Sequence, residues 1–162
     1  MKQVKSVISV LVNDQFGVLT RISGLFSRRG FNIDSITVGP AEEAGLSRMT
    51  IVVNRDEATV EQVMKQLHKL IDVIKVQNIT HEPNVPRELA LIKVMVNPNT
   101  RPEVLNLIEP FRASIVDVSR NSLIVQAIGD ESKIAAMLEL LRPYGIKEVA
   151  RTGVVSLLRG SN

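Results

Sequence analysis

Hydrophobic positions in the first half of the chain switch between the spacing of strands and the spacing of helices. Residues 4–12 are rich in valine and isoleucine, which is typical of a mostly buried strand. After a turn, Leu19, Ile22 and Phe26 fall on one stripe at helical spacing. Gly30 ends that helix, because the residue after a helix often needs a positive φ. The strands predicted for this half are 4–12, 32–38, which Gly39-Pro40 ends, 47–53 and 73–79. The predicted helices are 18–29 and a second one that Asp56 caps and that carries apolar residues to Ile71.

The same order of elements recurs in the second half. Pro83 and Pro86 mark a short linker, and a strand is predicted at 89–96. Thr100 and Glu103 have the spacing of a capping box at the start of the next helix. The remaining predicted elements are strands at 115–118 and 123–128, a helix capped by Asp130, and a strand from Ile146 onward.

Each half is therefore predicted to be a split β-α-β unit, which is the ferredoxin-like plan. The predicted fold class is α+β, with two ferredoxin-like βαββαβ domains in tandem at residues 1–80 and 87–162. Right-handed crossovers place the first and third strands of each sheet in the middle and the second and fourth at the edges. Because this plan hosts many activities, the fold alone does not indicate a function.

Composition and charge exclude several classes of protein. The 162 residues are 44% hydrophobic and 23% charged, as in a globular protein, and the absence of cysteine excludes disulfides, thiolate metal sites and cysteine nucleophiles. No apolar run approaches the roughly 20 residues that span a bilayer, and the start of the chain resembles neither a signal nor a transit peptide, so we expect a cytoplasmic protein without membrane contact. The net charge of +3 is spread along the chain and aromatic residues make up only 3%, which argues against nucleic-acid binding.

Candidate catalytic residues are sparse. His68 lies off the apolar stripe of its helix, His81 lies at the linker, and no His/Asp/Glu cluster has metal-ligand spacing. Glu42 and Glu43 are typical of a solvated loop, and motifs for phosphate, dinucleotide or acyl-transfer chemistry are missing. We therefore expect no catalytic residue, metal or cofactor in this chain.

The turn Asn13–Gly17, between the first strand and the first helix, is the most promising ligand site. A helix start presents free N–H groups and a partial positive charge, which together favour a carboxylate. Gly17 lets a ligand approach the backbone, and Thr20 offers a hydroxyl one turn later. The alternative is that Gly17 only permits a tight turn.

Asn32 is the second candidate, although it too has a structural alternative as a capping or left-handed residue. Its amide oxygen can accept from an ammonium group while its NH₂ donates to a carboxylate, so the pair of groups suits a free amino acid. The turn and Asn32 lie at opposite ends of the predicted sheet. A two-fold pairing of the second strands would bring one subunit's turn to the other's Asn32, so the pattern favours a homodimer.

The segment from Gly17 to Ile33, Gly-Val-Leu-Thr-Arg-Ile-Ser-Gly-Leu-Phe-Ser-Arg-Arg-Gly-Phe-Asn-Ile, resembles the N-terminal ACT domain of acetohydroxyacid (acetolactate) synthase small subunits. Many members carry Glu-Asn where this chain has Asn13-Asp14, and Pro where it has Phe16. The resemblance covers nearly the whole chain in the right order, continuing at 46–53, 66–70, 111–112, 115–118 and 148–160.

This resemblance implies a non-catalytic regulatory subunit of branched-chain amino-acid biosynthesis. The family's large subunit is a thiamine-diphosphate-dependent transferase that also holds Mg²⁺ and usually FAD, and it condenses pyruvate with pyruvate or 2-oxobutyrate. The small subunit raises that activity and confers feedback inhibition by valine, sometimes also by leucine or isoleucine, bound between paired ACT domains. The second domain, with Asn97-Pro98-Asn99 in place of a glycine turn, is expected to act in regulation or in assembly with the large subunit. The effector positions that the resemblance implies are Asp14, Gly17, Val18, Leu19, Thr20, Asn32 and Ile33.

Two other interpretations stay open. RNA-recognition domains share the β-α-β-β-α-β order but display aromatic residues on their two central strands, and residues 4–12 and 47–53 contain none. A generic amino-acid sensor attached to another enzyme would have the same site. The identity of the large protein that co-purifies with the chain separates these alternatives.

Overall fold

The computed structural model describes residues 3–160 and divides into two compact units. The first unit contains the described residues up to Val85 together with those from Val154 onward, and the second contains Pro86–Gly153. The predicted division at 80 and 87 differs from this in the last segment, which the sequence placed in the second domain. Hydrogen bonds attach this segment to the first unit, since the Thr37 hydroxyl donates to the Val154 carbonyl at 3.0 Å.

The first unit has the predicted β-α-β-β-α-β order. Its elements are β1 (Val4–Asn13), α1 (Val18–Arg28), β2 (Ile33–Pro40), β3 (Leu46–Arg55), α2 (Glu57–His68) and β4 (Val73–Asn78). The antiparallel sheet has the order β2-β3-β1-β4, which confirms the predicted central and edge strands. Both helices pack on one face of the sheet, around a core that includes Ile8, Ile22, Phe26, Ile51 and Leu67.

Two local predictions in this unit have different outcomes. The Asp56 side chain caps α2 by accepting from the Thr59 N–H at 3.2 Å, as predicted. The break predicted at Gly39-Pro40 is wrong, because β2 continues to Pro40, which pairs with Ser47. Proline is tolerated there because β2 is an edge strand, where a missing N–H removes little from the ladder.

The second unit repeats the plan, and the sheet order β6-β7-β5-β8 again confirms the prediction. The linker predicted at Pro83 and Pro86 is wrong, because a long strand begins at Asn84 and runs through Pro86. The strand predicted from Ile146 onward is two strands, and the second of them pairs with β5. The elements are β5 (Asn84–Met95), α3 (Arg101–Ile108), β6 (Ser114–Val118), β7 (Ser122–Gly129), α4 (Glu131–Leu141), β8 (Ile146–Arg151) and β9 (Val155–Leu158).

Asp130 caps α4 and makes the stability of this helix sensitive to acid. Hydrogen bonds from the Lys133 N–H, at 2.9 Å, and from the Ser132 hydroxyl hold the pKa of Asp130 below its usual value of 3.8. Because the folded-state pKa is lowered, this stabilisation is present above pH 3.8 and is lost as the pH falls through the folded-state pKa. Asp130→Asn keeps a capping oxygen that does not titrate, so its melting temperature should fall less than that of wild type between about pH 4 and pH 2. Parallel acid curves for the two proteins would contradict this role.

Candidate functional site

Gly17 stands at the start of α1 in a conformation that favours glycine. Its φ of 84° lies in the left-handed region, and no side chain caps the helix there. An ideal Cβ built on Gly17 would meet no atom within 4 Å, so the space beside this backbone is open. Glycine therefore adopts this backbone conformation with the least strain, and the open space leaves room for a ligand.

Backbone donors at this helix start lack protein acceptors. The Val18 N–H donates to the Gln15 carbonyl at 3.3 Å, but within residues 3–160 nothing accepts from the N–H groups of Gly17, Leu19 and Thr20. Such donors, together with the helix dipole, attract a carboxylate. The start of α1 thus presents three backbone donors without an acceptor among residues 3–160.

The equivalent helix start in the second unit is closed by its own side chains. The Asn97 Oδ1 accepts from the N–H groups of Asn99 and Thr100, each at 2.9 Å, and the Thr100 hydroxyl accepts from the Asn97 N–H. The predicted capping box is wrong, because the Thr100 hydroxyl is used in this reverse direction and makes no cap bond to α3. The N–H of the residue before the helix, which is free at Gly17, is therefore bonded at Thr100.

Side chains around the first turn divide into those that face the core and those that face solvent. Val18 is buried in the core, so only its backbone is available to a ligand. Leu19 is 47% exposed, and Asp14 and Thr20 are also exposed. Of the predicted positions on this turn, Asp14, Leu19 and Thr20 can therefore offer side chains, and Gly17 and Val18 offer only backbone.

Asn32 and Ile33 lie where the chain enters β2. Asn32 is exposed, and its side chain makes no hydrogen bond to any residue that the structure describes. Ile33 is partly buried and packs against the edge of the core. The amide of Asn32 is thus free to bind a ligand.

Strand register separates these two groups within one chain. Ile33 pairs with Val53, which pairs with Ser6, whereas the turn follows Asn13 at the other end of β1. Seven residues along a strand span about 23 Å, at about 3.3 Å per residue. A single protomer does not bring the turn and Asn32 together, as the sequence indicated.

Asp72 contacts the turn, and sequence analysis missed it. Its carbonyl accepts from the Asn13 N–H at 2.8 Å, and its carboxylate forms an ion pair with Arg21 on α1. Asp72 lies in the connection between α2 and β4, 51 residues from Arg21. Spacing along the chain carries no signal for such a contact.

The two histidines that sequence analysis considered lie at the surface. His68 is exposed, and His81 is also exposed, 3.9 Å from Glu57. Groups of three or more His, Asp or Glu residues that could hold a metal ion are missing from the described chain, and none of its helices is long and apolar enough to cross a membrane.

Comparisons with known proteins point to the same protein family over both halves of the chain. Residues 8–75 match the AHAS small subunit-like ACT domain family, and residues 87–160 match the family described as small subunit of acetolactate synthase. The acetolactate synthase small subunit of Bacillus subtilis is 56% identical over 97% of this chain and 92% of that protein, and the probable acetolactate synthase small subunit of Archaeoglobus fulgidus is 57% identical over 97% and 98%. The crystal structure of the Thermotoga maritima small subunit has a TM-score of 0.90 and 43% identity, covering 98% of this chain and 99% of that one. The chain belongs to the family of acetolactate synthase small subunits, the regulatory partners in branched-chain amino-acid biosynthesis, and its first unit is an ACT domain.

Proposed function

We propose that this chain forms a homodimer that binds valine between two ACT domains and thereby controls an acetolactate synthase large subunit. The small subunit is not an enzyme by itself. It stimulates a cytoplasmic large subunit that carries thiamine diphosphate, Mg²⁺ and FAD, and valine bound to the small subunit inhibits that activity. The observation that carries the proposal is the uncapped start of α1 together with the free amide of Asn32, two half-sites on opposite ends of one sheet.

Two-fold pairing of β2 strands would complete the site. β2 is an edge strand of its sheet, so its outer backbone groups are available for pairing. In an antiparallel pair, the Ile33 end of one β2 lies beside the Pro40 end of the other. Pro40 pairs with Ser47, which pairs in turn with Val12, so the Pro40 end lies at the same end of the sheet as the turn. Each dimer would then hold two equivalent sites, each with a turn from one protomer and an Asn32 from the other.

The chemistry of the two half-sites suits an aliphatic amino acid. Free N–H groups at Gly17 and Thr20 would donate hydrogen bonds to the effector's carboxylate. The ammonium group would donate to the amide oxygen of Asn32 or to the exposed carboxylate of Asp14. Leu19, half exposed beside the turn, would pack against a branched aliphatic side chain, which favours valine, leucine or isoleucine over polar amino acids.

Binding across two protomers also supplies a regulatory mechanism. A ligand that contacts both subunits binds only the arrangement that completes the site, so it stabilises that arrangement over others. A change in the ACT dimer can then alter the activity of a bound large subunit without any direct contact between valine and the active site.

Asn32→Ala tests the half-site on β2. We expect valine affinity to fall about 10- to 150-fold, equivalent to about 1.5–3 kcal/mol for charge-assisted hydrogen bonds. Calorimetry on the full-length dimer measures the change, with sedimentation to confirm that the variant remains dimeric. Asn32→Asp is the matched control of equal size: it keeps an oxygen that accepts from the ammonium group but loses the NH₂ donor, so it should lose less affinity than Asn32→Ala. Wild-type affinity in the alanine variant would remove Asn32 from the site.

A generic amino-acid sensor attached to another enzyme is the alternative function. Affinity capture of the full-length chain from its own cells, with and without valine, distinguishes the two. We expect a thiamine-diphosphate-dependent acetolactate synthase large subunit, whose activity rises on adding the small subunit and falls on adding valine. Recovery of a different enzyme, with no effect on acetolactate formation, would overturn the proposal.

A further inference from the structure

Asp72 is attached to both sides of the turn that begins α1. Its carbonyl accepts from the Asn13 N–H, just before the turn, and its carboxylate pairs with Arg21, which lies on α1 just after it. The Arg21 N–H in turn donates to the Gly17 carbonyl at 3.0 Å. One residue of the α2–β4 connection is thus linked to the end of β1 and to the first turn of α1.

The Asp72 carboxylate is more sheltered than that of a common surface ion pair. Its side chain is 14% exposed, whereas that of Arg21 is 52% exposed. The ion pair joins α1 to the α2–β4 connection and so restrains the helix, which carries the free N–H groups of Leu19 and Thr20. Donors must stay within about 0.5 Å and 10–20° of their productive geometry to hold a ligand well.

We propose that Asp72 and Arg21 are positioning residues of the effector site. Their ion pair keeps the α1 donors directed at the effector's carboxylate, and Asp72 neutralises the charge of Arg21. This inference rests on the proposed function. Because Asp72 occupies the guanidinium, the effector's carboxylate is held by directional N–H groups. Without Asp72, Arg21 becomes a mobile cation near the turn and attracts any small carboxylate, with or without an ammonium group.

Comparison of two ligands separates this role from general loosening of the fold. Valine and 3-methylbutanoate have the same carbon skeleton and carboxylate, but 3-methylbutanoate lacks the ammonium group. In Asp72→Asn, valine affinity should fall about 5- to 30-fold, which is equivalent to about 1–2 kcal/mol. Affinity for 3-methylbutanoate should stay constant or rise. Loosening of the turn alone would lower the affinity for both ligands to a similar extent.

The experiment uses calorimetry on the full-length dimer with both ligands. Arg21→Gln combined with Asp72→Asn restores a neutral hydrogen-bonding pair without a free cation, and it should recover most of the selectivity for valine. Glu148→Gln, which breaks the Lys93–Glu148 ion pair of the second unit, is the matched control and should leave both affinities unchanged.

The outcomes distinguish this inference from the function on which it rests. If wild type binds valine but Asp72→Asn shows the same ratio of valine to 3-methylbutanoate affinity, the positioning role is overturned and the sensing function stands. If wild type binds no valine, both fall. A lower ratio in Asp72→Asn that the double variant restores supports the inference.

Discussion

Gly17→Asp is expected to lower valine affinity by roughly 100- to 1000-fold while the ACT domain stays folded. The new carboxylate would lie beside the free N–H groups of α1, where it competes with the effector for the same donors and repels its charge. Two like charges about 4 Å apart interact by about 4 kcal/mol at an effective dielectric constant of 20, equivalent to roughly 1000-fold in affinity. Partial exposure to solvent reduces the effect toward the lower figure.

Gly17→Asn is the matched control for this prediction. Both residues add a side chain of similar size at a φ of 84°, where the open space accepts a Cβ. Asn and Asp tolerate the left-handed region better than other residues, so the backbone strain is similar in the two variants. The difference between them isolates the charge, and Asn should keep valine affinity within about tenfold of wild type.

Calorimetry with valine, together with circular dichroism melts of the same samples, measures both effects. Equal losses of affinity in the two variants would show that the turn's shape matters and its charge does not. An unfolded Asp variant would leave Gly17 with the purely structural role that the sequence also allowed.

The elements that sequence predicted well are those whose local pattern and tertiary environment agree. β1 is buried on its helix-facing side, and α1 carries one apolar stripe, so burial and spacing point to the same structure. Gly30 has the expected positive φ, and Asp56 and Asp130 accept the expected cap bonds. In these cases the local structure depends on residues close together in the chain, so the sequence is enough to predict it.

The wrong predictions arise where two local signals compete or where a distant partner decides. Thr100 and Glu103 have the spacing of a capping box, but the Asn97 amide oxygen accepts from the Thr100 N–H, the donor that Glu103 would otherwise bind. Pro86 resembles a linker residue but lies within a strand. Asp72 and the last segment gain their roles from residues more than fifty positions away, which no local pattern encodes.

The candidate site illustrates the same limit. Gly17 and Asn32 were found because helix starts and amide side chains have chemistry that is recognisable in isolation. Their separation to opposite ends of the sheet, about 23 Å along β1, follows from strand order, which the β-α-β-β-α-β pattern already predicted. The contacts of Asp72 with the turn were not predicted from sequence. Its ion pair with Arg21 and the hydrogen bond to its carbonyl form only when distant segments of the chain pack together.

The C-terminal segment clusters with the first unit, although its strand β9 pairs with β5. Ser156 is buried and donates its hydroxyl to the Asn84 Oδ1 at 2.8 Å, and the Arg159 N–H donates to the Pro83 carbonyl at 2.8 Å. Leu157 and Leu158 line a groove with Ile79, which is only 2% exposed. Because the Thr37 hydroxyl bonds to Val154, the segment also reaches β2, the edge strand on which the proposed dimer depends.

Truncation after Gly153 is therefore expected to destabilise the first unit by about 2–4 kcal/mol. Exposing an isoleucine the size of Ile79 costs about 1.5–3 kcal/mol, and each lost hydrogen bond adds about 0.5–1.5 kcal/mol, partly offset by the entropy that the freed segment regains. Urea unfolding measures the total, and amide exchange should show lost protection in the sheet of β1 to β4. Ser156→Ala should reproduce about 1 kcal/mol of the loss, whereas Ser27→Ala, at an exposed position on α1, should have almost none. Loss of protection confined to the second unit would contradict this assignment, since the segment would then stabilise only the domain to which the sequence assigned it.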